Sequence, residues 1–195
     1  MNAILEAAAE VQAFCEARSW RFCFIGGIAV QRWGEPRLTQ DVDLTILTGF
    51  GSEGPYIGAL LDHFEGRRSD GREFARRHRV VLARTAAGIP VDIALGAMPF
   101  EERAVERASS YDIGQGVAIR TCSAEDLVVY KAFAGRSQDW LDVEGIVTRQ
   151  GRSIDRELVL AEALPLLELK EAPEQLDRLR AILGDETVRL FEEGE

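Results

Sequence analysis

The segment from Phe24 to Leu44, F-I-G-G-I-A-V-Q-R-W-G-E-P-R-L-T-Q-D-V-D-L, constrains the fold more than any other part of the chain. The residues leading into it, RFCFIGG, read as a short buried strand that ends at two glycines, Gly26 and Gly27. IAVQRWG then takes helical spacing, with Ile28, Ala29 and Trp33 facing inward and Gly34 as a stop. After a polar connection, DVDLTILT alternates and is rich in β-forming residues, which predicts a second strand. Strand, glycine turn, helix and strand in such short order require a mixed α/β (α+β) architecture, a sheet with helices laid on it.

The rest of the chain reads in the same terms. Residues 2 to 18 place Ile4, Ala8, Val11 and Cys15 on one helical face, with Leu5 and Phe14 beside it. GFGSEGP is a loop, and the stretches 56–64 and 71–78 suit short helices. VVLAR, a TAAG turn and IPVDIAL predict an antiparallel hairpin whose second strand carries one acid, Asp92, in an apolar run. Pro99 fits the first turn of a helix through Ala108, and YDIGQGVAIR reads as two short strands about a glycine turn. Ser123 with Asp126 opens a helix that runs to about Ala134, and beyond Gln138 the pattern is helical, broken near 150–153 and at Pro173. The expected plan is a core of mixed or antiparallel sheet flanked by helices over residues 1–122, with a helical part over 123–195 packed on it.

Composition excludes several classes. Hydrophobic residues at 46% and charged residues at 29% leave ample material for a buried core. No apolar run approaches the ~20 residues that span a bilayer, and the N-terminal stretch lacks a basic and apolar leader, so a cytoplasmic protein is expected. Cys15, Cys23 and Cys122 form no CxxC pair and suit reduced core thiols. A net charge of -10 argues against nonspecific coating of nucleic acid, although the charge is uneven. Residues 66–84 hold seven Arg against Asp70 and Glu73, while residues 171–195 hold eight carboxylates against three Arg. Such asymmetry allows a basic face, and it equally allows arginines paired with the acidic tail.

The chemistry concentrates in three acids. On a strand, Asp41 and Asp43 would face the same way, ~7 Å apart. Two like charges on one face are tolerated mainly when a cation or water sits between them, and hard divalent cations prefer such oxygen donors. An Asp-x-Asp alone can also mark the solvent face of an edge strand. The glycine pair upstream adds weight, because a Gly-Gly entry to a helix exposes backbone N–H groups where phosphate oxygens can approach. Asp92, alone among apolar residues, is costly to desolvate without a purpose.

Gly-Gly at a strand-to-helix turn, followed after about a dozen residues by Asp41-Val42-Asp43-Leu44 and later by Pro90-Val91-Asp92-Ile93-Ala94, resembles the polymerase-beta-like nucleotidyltransferase superfamily. The string Arg37-Leu38-Thr39-Gln40-Asp41-Val42-Asp43 and the later Lys131-Ala132-Phe133-Ala134-Gly135-Arg136-Ser137-Gln138-Asp139 resemble the AbiE-type abortive-infection and toxin–antitoxin nucleotidyltransferases within it. The resemblance covers roughly residues 20–150. It implies a nucleotidyltransferase sheet and transfer of a nucleoside monophosphate from a nucleoside triphosphate to a hydroxyl of RNA (a transfer RNA end among them), protein or a small molecule. Mg2+ or Mn2+ would be held by Asp41, Asp43 and Asp92, with Asp92 also directing the acceptor proton. Gly26, Gly27, Arg37, Thr39, Lys131 and Arg136 would meet the nucleotide, Lys131 as the direct phosphate contact, and Asp139 (or Asp142) would position the two cations. An antitoxin partner is implied as well.

Other readings remain beside this one. Lys131 can be a surface lysine, and Arg37 and Arg136 can serve ion pairs alone. His63 and His78 have no ligand spacing, and Trp20, Trp33 and Trp140 fall where packing explains them. A nucleotidyltransferase-fold binding module whose catalysis has lapsed is the alternative function. A metal-dependent phosphohydrolase would need more His or Asp ligands than the sequence offers. The enzymatic reading requires Asp92 to stand beside the other two acids, and none of the three to be buried against an arginine with no room for an ion.

Overall fold

The computed structural model describes residues 3–114 and 116–184. Gln115, in the expected glycine turn, and the acidic stretch from 185 onward lie outside the described residues. The chain forms two compact units, Met1–Ala29 with Arg37–Ser123, and Val30–Pro36 with Ala124–Glu195.

The first unit is built on a mixed sheet of seven strands among the described residues. In chain order these are β1 (Phe22–Phe24), β2 (Val42–Leu47), β3 (Glu65–Gly66), β4 (Val80–Arg84), β5 (Pro90–Gly96), β6 (Ser109–Gly114) and β7 (Val117–Thr121). They lie side by side as β3-β4-β5-β2-β1-β7-β6, with β2/β5 and β1/β7 parallel and the other neighbours antiparallel. The expected hairpins are β4–β5 and β6–β7. Alternation gives each central strand two unlike faces. Val42, Leu44 and Ile46 of β2 and Val91, Ile93 and Leu95 of β5 are buried on one face. There they join α1 (Ala3–Glu16), α3 (Gly54–His63) and α4 (Gly71–His78) in one apolar core. Helix α1 supplies Ile4, Ala7, Ala8, Val11, Phe14 and Cys15, the i, i+3, i+4 stripe of a surface helix. Fully burying a leucine or isoleucine such as Leu44 or Ile93 contributes about 1.5–3 kcal/mol. All three cysteines are buried free thiols, and burial pushes the Cys15 thiol up to about 12.

The opposite face is only partly covered. Helix α5 (Pro99–Arg107) packs on β1 and β2, and its Glu101 accepts a hydrogen bond from Thr45 Oγ1 at 3.4 Å. Glu101 also accepts from the backbone N–H of Ala97 and Met98 and so fixes the start of its own helix.

The second unit is helical: α6 (Ala124–Ala134), α7 (Ser137–Gln150), α8 (Arg156–Leu169) and α9 (Pro173–Leu183). Helix α6 packs on α7, α8 and α9 through buried residues such as Leu127, Val128, Ile146, Val159, Ala163 and Leu179. Asp155 caps α8 by accepting from Leu158 N at 2.9 Å, and Pro173 opens α9, where a missing N–H costs nothing. Residues 30–36, the end of helix α2 (Gly26–Trp33) and the turn after it, belong to this unit. Gln150 and Arg149 donate to the carbonyls of Trp33 and Gly34. No helix among the described residues is long and apolar enough to cross a membrane.

Candidate active site

Register brings two of the three acids together. β2 and β5 run parallel with Asp43 opposite Asp92, Thr45 opposite Ala94 and Leu47 opposite Gly96. Paired residues on neighbouring strands are ~4.8 Å apart and share a face, so both carboxylates project from the face that does not bury Val42 and Val91. Asp41 departs from the expectation. The strand begins at Val42, and Asp41 lies in the bend before it rather than two residues along a strand from Asp43. It is nonetheless near enough to Asp92 for its charge to be felt there.

Both glycines of the turn are in contact with this group. Gly26, with φ +60°, turns the chain from β1 into α2, and Ile25 N donates to Asp43 O at 2.9 Å. A Cβ on Gly26 would lie 2.0 Å from Asp43 Oδ2, so the carboxylate is seated against the bare Cα at the start of the helix. A helix N-terminus favours a negative charge there. Gly27 is equally close to Thr39, whose Oγ1 would lie 2.3 Å from a Cβ. Thr39 is 7% exposed, and its hydroxyl donates to Asp41 Oδ1 at 3.2 Å and Asp41 O at 3.3 Å. Instead of presenting its hydroxyl to solvent for a nucleotide, Thr39 clamps Asp41 beneath the glycine pair. Arg37 is half-buried and turns one donor to Leu38 O at 3.4 Å.

Arg67 is the residue that sequence reasoning missed. Its N–H donates to Leu82 O, continuing the β3/β4 ladder, and Leu82 stands opposite Asp92. Arg67, just past β3, therefore continues the row that Leu82, Asp92 and Asp43 form across β4, β5 and β2. Arg67 Nη2 reaches over the Leu82 position to an ion pair with Asp92 Oδ1. The Asp92 side chain keeps 34% of its surface exposed, so it is tied to an arginine without being buried against it. Burial pushes the Asp92 carboxyl above the usual range, Arg67 pulls it down, and Asp41 pushes it up again. Among the described residues no three carboxylate, thiol or imidazole groups already stand as a metal cage. Seven arginines crowd residues 67–84, which hid this one. Others pair away from the three acids: Arg68 with Asp70, Arg72 with Asp62 and Arg79 with Glu53.

Lys131, Arg136 and Asp139 form a separate cluster within the second unit. The Lys131 side chain is buried, with its Nζ 3.0 Å from Asp139 Oδ1 and 2.9 Å from Asp142 Oδ2, and both carboxylates are buried as well. Its ammonium is thus occupied, and a direct phosphate contact would have to displace a carboxylate. Asp139 Oδ2 accepts from the Nε of Arg136 at 2.6 Å and from its backbone N–H at 3.2 Å, while that side chain stays 76% exposed. Burial would raise the Asp139 carboxyl, but the hydrogen bonds from Arg136 and Lys131 outweigh it and hold the group below the usual range.

Known proteins share this fold. In fold the chain is similar to an antigenic nucleotidyltransferase-like protein from Paracoccidioides brasiliensis, at 15% identity over 91% of this chain and 92% of that one, with a TM-score of 0.54. It is also similar to the antibiotic-resistance factor ANT(2'')-Ia, at 15% identity over 87% of this chain and 95% of that one, with a TM-score of 0.50. No curated protein matches the sequence. The profile of a family described as nucleotidyl transferase AbiEii toxin, type IV toxin–antitoxin system, matches residues 15–189. The glycine turn, the Asp-x-Asp segment, Asp92 and the Lys131–Asp139 stretch all fall inside that match, and the chain belongs to the AbiEii nucleotidyltransferase toxin family.

Proposed function

We propose that this nucleotidyltransferase uses a divalent cation, Mg2+ or Mn2+, to move a nucleoside monophosphate from a nucleoside triphosphate to a hydroxyl acceptor. The observation that carries the reading is the in-register pair Asp43 and Asp92, with Asp41 clamped nearby and two glycines at the helix start against them. Hard carboxylate oxygens on a partly open face suit such a cation in type, while the guanidinium of Arg67 lies on Asp92 and the three acids have still to close around an ion. Asp41, Asp43 and Asp92 would hold the cation. Bound there, it lowers the pKa of the attacking hydroxyl and neutralises charge on the phosphate oxygens.

The chain's own groups do the positioning. The N–H groups of Gly26 and Gly27 suit the triphosphate at the start of α2. Thr39 keeps Asp41 in place, and Arg37 stands beside this segment for a phosphate or acceptor contact. As the acceptor oxygen forms its bond to the α-phosphorus, the bond to the leaving pyrophosphate breaks and Asp92 takes the acceptor's proton. Within the second unit, Asp139 orients the largely exposed guanidinium of Arg136, whereas the ammonium of Lys131 is taken by two carboxylates.

An RNA end is the acceptor class that the arginine stretch favours. A groove of about 480 Å³ in the first unit is lined by Arg68, Arg72 and Arg76 together with Ser69, Asp70 and Glu73. An antitoxin partner and a cytoplasmic setting accompany the family reading. The test is labelled-nucleotide transfer to RNA, protein and small hydroxyl acceptors with Asp43→Asn as control, and equal incorporation by both proteins would overturn it. The Arg67–Asp92 ion pair is the observation on the side of a lapsed binding module. That reading expects stabilisation by nucleotide and Mg2+ with no turnover on any acceptor.

A further inference from the structure

Arg67 stands in the row of acids for a reason that folding alone does not supply. A guanidinium carries five N–H donors and is charged at any pH the protein meets. One of these donors engages Asp92 Oδ1, while the Nε is buried with no acceptor among the described residues. A buried unpaired donor normally costs more free energy than a surface ion pair returns. Its neighbours Arg68 and Arg72 have exposed partners and no such orphaned atom. Arg67 is therefore built to reach the acids, with a donor to spare for an oxygen that the protein itself does not provide.

We propose that Arg67 is a further active-site residue that holds Asp92 until a divalent cation takes the carboxylate, and then turns its guanidinium to a phosphate of the nucleotide. This rests on the reading of Asp41, Asp43 and Asp92 as cation ligands. The chemistry of the exchange is simple. Guanidinium and cation compete for one carboxylate, so each weakens the other there. A planar fork released beside bound polyphosphate finds two oxygens at once, which an ammonium cannot match. Asp92 thereby has a counter-charge in both states, Arg67 without a cation and the metal with one.

The two halves have opposite signs in one variant. Mn2+ binding to the full chain, followed by electron paramagnetic resonance, is expected to tighten in Arg67→Gln by about fivefold or more, the usual lower bound for coupled sites. With Mg2+ saturating, binding of each of the four ribonucleoside triphosphates, followed by calorimetry, is expected to weaken in the same variant by about tenfold for the nucleotide that binds best, as loss of a charge-assisted hydrogen bond requires. Arg68→Gln removes a neighbouring charge and is expected to change neither. Arg67→Lys keeps the charge without the fork, so Mn2+ affinity should stay near wild type while nucleotide binding falls. Asp43-dependent Mn2+ binding that is the same in wild type and Arg67→Gln would overturn this proposal and leave the proposed function standing. Mn2+ binding indifferent to Asp43→Asn would overturn both. Should Arg67→Gln prove poorly folded, the Arg67→Lys pattern decides alone, and undiminished nucleotide binding there overturns the exchange.

Discussion

Asp43 and Asp92 on the sheet, and Asp139 and Asp142 on α7, are each a pair of carboxylates held close together, yet their surroundings differ. The α7 pair is buried and shares the Lys131 ammonium, and Asp139 takes Arg136 as well, so two acids meet two bases. Beside the sheet pair Asp41 adds a third acid, and the counter-charges include the guanidinium of Arg67 on Asp92 and the N-terminus of α2 at Asp43. The carboxyl groups differ accordingly: at Asp92 burial, the largest influence, outweighs Arg67 and holds the group above the usual range, whereas at Asp139 the hydrogen bonds from Arg136 and Lys131 outweigh burial and hold it below. A balanced cluster holds a fold together, whereas a cluster with surplus charge of one sign stores work for a ligand of the other sign.

The largest expected effect comes from removing the cation of the balanced cluster. Lys131→Met leaves Asp139 and Asp142 buried without their shared ammonium, and breaking a buried pair in this way costs about 3–5 kcal/mol. Chemical unfolding followed by circular dichroism checks it, and a variant as stable as wild type would erase the distinction drawn here. Asp43→Asn is the mirror experiment. It relieves like-charge repulsion and should leave the melting temperature unchanged or higher, while transfer falls by more than the ~100-fold that loss of a ligand's supporting partner costs.

Next in size is Gly26→Ala. The added methyl would lie 2.0 Å from Asp43 Oδ2 at a φ of +60° that L residues resist, which costs about 1–3 kcal/mol and pushes the carboxylate off its seat. Transfer should fall further than stability alone explains. A variant with wild-type turnover, assayed well below its melting temperature, would show that the close seating of Asp43 is incidental. Thr39→Val should act more gently. It keeps the shape under Gly27 but loses the donation to Asp41, so about a tenfold fall in kcat with an unchanged melting temperature is expected, with Thr39→Ser close to wild type.

Much of this was legible in the sequence for physical reasons. Gly26 and Gly27 announce a turn that only glycine tolerates, and the alternation in IPVDIAL marks Asp92 as an interruption on a buried strand. The β4–β5 hairpin follows from its turn chemistry, and the fold class follows from the alternation of strand and helix. Less could be read where tertiary pairing decides. Nothing local states that β2 runs parallel to β5, which is what sets Asp43 beside Asp92. Asp41 looked like a strand residue because pattern cannot show that Thr39 bends the chain before Val42. The two-residue strand β3, and with it the reach of Arg67 to Asp92, depends on pairing with β4 and carries no periodicity of its own. Lys131 read as a phosphate contact or a surface lysine because a buried cation is readable only once both of its carboxylates are placed.

The smallest effect, and the most direct reading of the contrast, lies in the pH dependence of stability without divalent cations. Asp139 has a folded value below its unfolded one of about 3.9, so the unfolded chain binds the extra proton between the two. Its contribution is therefore present above about pH 4 and is lost as pH falls through the folded value. Asp92 runs the other way. With a folded value above the unfolded one, its contribution is fully present only below about pH 4 and is lost as pH rises through the folded value. Melting temperatures recorded in EDTA from acid to neutral pH should then separate two variants. Asp139→Asn should flatten the acid limb of the profile, and Asp92→Asn should instead steepen the gain from acid to neutral pH, because a loss on that side has been removed. Identical profiles for the two would mean that both carboxylates are equally compensated, and the contrast between the two clusters would fall.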